Sequence, residues 1–140
     1  MKKETILKLI TYAVIFVFLV FYIMQGNYEF ISYNILALLF FWIVLHLQKK
    51  YDLPFIIVAG FCVWLFLHMF GGLDIPNRVY GIILFDLIGE PFHILKYDQL
   101  VHFYCYVVVG AMFYYIVKKT SKKMNWVVGA TAVQIGRAHV

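Results

Sequence analysis

Four long stretches of this chain carry no Asp, Glu, Lys or Arg, and they constrain its fold more than any other feature. Counted strictly between Asp, Glu, Lys or Arg, Lys8 to Glu29 encloses 20 residues, Glu29 to Lys49 19, Asp52 to Asp74 21 and Asp98 to Lys118 19. A helix rising about 1.5 Å per residue needs roughly 20 residues to cross about 30 Å of hydrocarbon. The composition agrees: the 140 residues are 64% hydrophobic and 14% charged, where a soluble domain has about 45–50% and about 25%. A soluble fold is excluded, and with no internal repeat or long polar linker the length allows one domain, residues 1–133.

The expected fold class is all-α, a polytopic transmembrane helix bundle with complete spans near residues 9–24, 31–47, 54–70 and 99–117. Phe21-Tyr22-Ile23-Met24 offers no small-x-small cleavage site, so the first run is expected to be an uncleaved helix rather than a signal peptide. Pro54 suits a helix start, where its missing N–H is no loss, and Gly71-Gly72 suits a helix end, where left-handed backbone is easy. Between the third and fourth spans, Val79–Phe85 gives seven consecutive apolar residues. That is too few to cross, and an interfacial helix or shallow re-entrant piece is expected.

Lysine and arginine set the orientation. The N-terminus carries Lys2, Lys3 and Lys8, the second loop Lys49 and Lys50, and the fourth Lys118, Lys119, Lys122 and Lys123, nine in all on one side. The intervening loops carry only Arg78 and Lys96. Basic residues in short loops stay in the cytoplasm, so the N-terminus is expected inside a bacterial inner membrane. Acids run the other way, with Glu29, Asp74, Asp86, Glu90 and Asp98 outside against Glu4 and Asp52 inside. The net charge of +5 is scattered in short clusters between apolar runs. That pattern suits anionic lipid headgroups and not nucleic acid.

Trp126–Val133 begins a further apolar run that stops after eight residues, a truncated fifth span. The last six residues, Ile135-Gly136-Arg137-Ala138-His139-Val140, can be encoded by a sequence that reads like a library adapter. Residues 135–140 are therefore expected to be an artefact, which removes His139 from the candidate ligands. Cys62 and Cys105 both lie inside apolar runs, without CxxC spacing, and fit small buried residues.

The polar residues that remain cluster at one end. Asp98 and His102 stand four apart on one helical face, and His68 lies six residues before Asp74, so both histidines sit at similar depth inside the outer surface. Ionisable groups within a membrane are costly and face the bundle interior, which makes a His68/Asp98/His102 layer the candidate site. Two imidazoles and a carboxylate suit Zn or Fe, with Asp74, Glu90 or His93 to complete the shell. Structural packing is the leading account, with the metal centre an alternative to it: Asp98 caps the fourth helix while His102 bonds Asp98 or a neighbouring helix. A lipid-headgroup or small-ligand pocket is the third. His46 is expected to be interfacial, and no serine triad or phosphate loop is present.

Leu67-His68-Met69-Phe70-Gly71-Gly72 and Tyr97-Asp98-Gln99-Leu100-Val101-His102 resemble the YjdF-like group of bacterial integral-membrane proteins. That resemblance implies a bundle of about six helices, an LHxxGG helix end and a YDxxxH helix start. It marks His68, Gly71, Gly72, Tyr97, Asp98 and His102. The Asp-x-x-x-His start is also similar to the VanZ-like membrane family, associated with glycopeptide resistance. The expected function is a structural or binding role on an envelope component, a lipid or a membrane-protein partner, through the outward His/Asp layer. The alternative is a metal-dependent membrane enzyme acting on a lipid-linked substrate, with the same three residues as ligands or acid/base.

Overall fold

The computed structural model describes residues 3–73, 79, 83–85 and 95–120, with 83–85 and 95 as backbone. Four helices carry the architecture: α1 Lys3–Gln25, α2 Tyr28–Tyr51, α3 Phe55–Gly71 and α4 Tyr97–Thr120. A short antiparallel pair, β1 Ile83–Phe85 and β2 Leu95–Lys96, precedes α4 in register Ile83↔Lys96 and Phe85↔Leu95. In hydrocarbon every backbone N–H and C=O must find its partner within the segment, so long apolar runs close into helices.

Local chemistry sets where each helix stops. After α1 the chain turns at Gly26, whose φ of +66° an L side chain rarely adopts. Asn27 then caps α2, its side-chain oxygen accepting the Phe30 N–H at 3.3 Å. At the other end Asp52 takes the left-handed conformation (φ 48°), and its N–H bonds the Gln48 carbonyl. Pro54 is the N-cap of α3. The first turn of α4 is closed by Gln99, whose Oε1 accepts the Lys96 N–H at 2.9 Å, one half of a capping box.

Four complete spans are not what the structure holds. Three helices, α1, α2 and α4, are long and apolar enough to cross a membrane. α3 has 17 residues, about 25 Å of helix, short of the roughly 30 Å of hydrocarbon. Counting between Asp52 and Asp74 overstated it, because Leu53, Pro54, Gly72 and Leu73 sit outside the helix. The other three helices run past their apolar stretches into charged ends, taking in Lys3, Lys49, Lys50, Lys118 and Lys119. Charges bound the hydrocarbon zone, whereas long lysine stems let the helix itself continue.

Two further expectations are corrected. Ile83–Phe85 is a strand and not part of an interfacial helix; pairing with Leu95–Lys96 meets its backbone bonds across the chain rather than along it. Gly72 is right-handed, at φ −81° and ψ −2°, so its value lies elsewhere than in left-handed freedom. The truncated fifth span at 126–133 and the 135–140 tail lie outside the described residues, as do Asp74, Glu90 and His93.

The core joins all four helices through Ile15, Tyr22, Phe41, Val44, Val58, Leu65, Met69 and Val101. Polar groups are placed inside it: Asn34 is fully buried, with Thr11 and Gln48 buried beside the apolar residues. The exterior is apolar, with Phe16, Ile23, Leu39, Trp42, Ile56 and Phe103 exposed on helix flanks. That distribution suits lipid outside, and inside Asn34 bonds between helices while Thr11 bonds the Leu7 carbonyl of its own helix. α3 and α4 approach closely at Gly60, where a Cβ would lie 3.3 Å from Val108 Cγ2.

The lysine-rich end is tied by Asp52. Its carboxylate pairs with Lys119 Nζ at 2.8 Å, and its carbonyl accepts the Tyr115 hydroxyl at 3.2 Å. Lys119 also donates to the Tyr51 carbonyl at 2.8 Å. The opposite end, where α3 stops and α4 starts, holds the candidate site.

Candidate functional site

Side chains from α1, from the turn between α1 and α2, and from α4 converge on backbone carbonyls at the C-terminal end of α3. The Tyr22 hydroxyl of α1 donates to the Met69 carbonyl. Asn27, between α1 and α2, donates through Nδ2 to the Gly72 carbonyl at 3.4 Å. Tyr97, the first residue of α4, donates to the Leu67 carbonyl at 2.9 Å. Gly72 lies so close to the Phe30 ring that a Cβ would run into it. This corner therefore locks α1, α2 and α4 onto the end of α3.

His68 sits within this corner, half-buried. Its ring stacks on Trp64 at 5.4 Å with 21° between planes, and lies 5.9 Å from Tyr33 and 6.4 Å from Phe30. Tyr33 in turn donates to Glu29 Oε1 at 3.3 Å. Below the imidazole a cavity of about 210 Å³ runs between α2 and α3, lined by Tyr33, Leu36, Ala37, Phe40, Trp64 and His68. Leu36 and Phe40 are exposed on the outer flank of α2, so the cavity opens sideways toward lipid.

On α4 the two other candidate residues engage their own helix. Asp98 Oδ1 accepts the Gln99 N–H at 2.8 Å, a carboxylate in the first turn where the helix dipole favours it. His102 Nδ1 lies 2.7 Å from the Asp98 carbonyl oxygen, not from its carboxylate. A carbonyl can only accept, so Nδ1 carries the proton and Nε2 keeps its lone pair when the ring is neutral. His102 is exposed on α4. Among the described residues, no three His, Cys, Asp or Glu side chains form a group able to hold a metal ion.

Of the motif residues, the fold thus unites His68, Gly72 and Tyr97 at one junction and sets Asp98 and His102 one turn apart beside it. His46 stands at the opposite end, 6.0 Å from Trp42. Sequence reasoning missed Asn27, Phe30, Tyr33 and Trp64. Asn27 had a legible signal, an Asn directly before an apolar run, the ordinary helix cap. The aromatic residues had none, since Tyr and Phe number 25 in the chain.

A bundle whose outer face is apolar, whose interior holds Asn34, Thr11 and Gln48, and in which three helices are long enough to cross hydrocarbon is a helical membrane protein. Residues 6–138 match the family described as predicted membrane protein (DUF2238), and the chain belongs to that family. No curated protein and no solved structure matches the chain. The YjdF-like and VanZ-like resemblances rest on the short motifs alone.

Proposed function

We propose that this chain is a binding protein of the bacterial inner membrane, with its N-terminus in the cytoplasm, holding an envelope lipid at the His68 end of the bundle. The observation that carries this reading is the cavity between α2 and α3. Its walls, Leu36, Ala37 and Phe40, accept an acyl chain, and Tyr33 and His68 are lining residues that also carry polar groups. Such a division, apolar lining with a few convergent polar groups, is the usual build of a small-ligand site. The junction of Tyr22, Asn27 and Tyr97 around the end of α3 keeps the imidazole fixed. Native mass spectrometry of the full chain released from detergent tests the reading. Lipid adducts should survive delipidation on the unmodified chain and fall several-fold in His68→Ala. Equal retention by both would remove the proposal.

A second reading is favoured by one feature, the His102 Nδ1–H fixed on the Asp98 carbonyl. That bond leaves Nε2 available, the arrangement by which backbone groups orient metal-ligating histidines. On this account His102 would be one ligand in a metal-dependent enzyme acting on a lipid-linked substrate, with Zn or Fe supplying Lewis acidity, although among the described residues His68 and Asp98 do not join it in a group able to hold the ion. Elemental analysis of the purified protein should then show stoichiometric metal that His102→Ala loses. Stable, metal-free protein would end this alternative.

A further inference from the structure

A second cleft lies at the other end of the bundle, between α1 and α2, remote from His68. It has a volume of about 350 Å³ and is lined by Lys8, Tyr12, Trp42, Leu45, His46 and Lys49. We propose that this cleft is a binding site for an anionic phospholipid, its phosphate held by Lys8, Lys49 and His46 and its chains lying along Tyr12, Trp42 and Leu45.

Charge is the first argument. Two ammonium groups and an imidazole face one cleft whose lining holds no carboxylate. The nearest described acids lie outside the lining: Asp52 is engaged by Lys119, and Glu4, one turn before Lys8 on the same face of α1, is not among the residues that line the cleft. Lys50 lies with its ammonium 5.3 Å from the Tyr51 ring centroid and takes no part in the lining. Two cations brought together without a counter-charge repel each other, and an anion between them relieves that repulsion. A basic pocket between helices at the lysine-rich end is the recurring form of a lipid-phosphate site.

Position is the second. Lys8 and Lys49 are the first charges reached on leaving the apolar runs of α1 and α2, so their ammoniums stand where headgroups begin. The remaining wall is apolar and continues into the hydrocarbon zone. Tyr12 packs edge-on against Phe41 at 5.1 Å, and Trp42 leaves most of its indole exposed beside His46. A free phosphate would meet the cations but leave that wall uncovered. A phospholipid covers both.

Trp42 is the reporter. The full chain in neutral detergent is titrated with phosphatidylglycerol or phosphatidylcholine carrying brominated acyl chains, and the Trp42 signal is taken as the difference from Trp42→Phe. Phosphatidylglycerol should quench it at roughly tenfold lower mole fraction, as two lysines near an anionic headgroup allow. The double variant Lys8→Gln/Lys49→Gln should erase that preference, and Lys118→Gln, on α4, should keep it. All three lysines are on the outer surface or half-buried, and circular dichroism checks that each variant stays helical. Equal quenching by both lipids, or a preference that persists in the double variant, would overturn the proposal. So would relief of quenching by glycerol phosphate at the concentrations where unbrominated phosphatidylglycerol works, which would mark a site for soluble phosphate esters. His68→Ala should leave the preference intact, so this test stands apart from that of the His68 cavity.

Discussion

Gly72 is held by space and not by backbone conformation. Its φ of −81° is open to any residue, but the Phe30 ring occupies the place a Cβ would take. Substitution must displace that ring from a junction where Tyr22 also packs at 5.3 Å. Gly72→Ala is therefore expected to destabilise the protein by about 1–3 kcal/mol, the cost of overpacking a filled interior. Gly110, where an added Cβ would meet nothing within 4 Å, provides the contrast: Gly110→Ala should be neutral or slightly stabilising, since alanine favours helix. Thermal unfolding of the two variants in the same detergent measures both. Asn34 makes the matching case for polar groups. Fully buried, it donates to the Ile15 carbonyl at 3.2 Å and to Met69 Sδ at 3.4 Å, linking α1, α2 and α3. Asn34→Ala should lower stability by about 1–2 kcal/mol, the range for polar links between membrane helices, and a loss no larger than that of an exposed Leu39→Ala would show that the links contribute nothing.

The start of α4 is where an element's stability and the candidate site meet. Gln99 reaches back to the Lys96 N–H, and Asp98 accepts the N–H of the next residue. Gln99→Ala should cost about 1 kcal/mol, as loss of a helix cap typically does; unchanged melting would show that the half capping box is dispensable. Tyr97→Phe should cost a similar amount, about 1 kcal/mol for one buried hydrogen bond, because it releases α4 from the Leu67 carbonyl. At this scale the sequence was informative where chemistry is local and misleading where it is not. Uncharged runs located all four helices, since apolar residues between lysines have few other uses. They did not locate the ends: Pro54 and Gly72 trim α3 from inside its uncharged run, while lysine stems carry α1, α2 and α4 beyond theirs. Helical spacing placed Asp98 and His102 together correctly, yet only the fold shows that His102 bonds the Asp98 carbonyl. The aromatic wall around His68 depends on how α2 meets α3, a contact that no spacing within one helix encodes.

Across the whole molecule, the two ends of the bundle differ in kind. At one, Lys119, Tyr115 and Asp52 join α4 to the turn between α2 and α3, and Lys8, Lys49 and Lys50 stand around it. At the other, tyrosine and asparagine side chains cap the carbonyls of α3, and the described basic side chains are His68, His102 and Lys96. Lysines in short connections are retained on the cytoplasmic side during insertion, so the bundle should sit with its lysine end inside. Single cysteines distinguish the two orientations. Tyr28, at the His68 end, is 80% exposed, and Lys50, at the lysine end, is also exposed. In intact cells a membrane-impermeant maleimide should label Tyr28→Cys and spare Lys50→Cys, with the latter reacting only after permeabilisation. The native Cys62 is buried and Cys105 half-buried within their helices, so both should stay unlabelled under either condition. The reverse pattern would place the His68 cavity in the cytoplasmic half, and its ligand would then have to be an inner-leaflet lipid rather than an outward-facing envelope component.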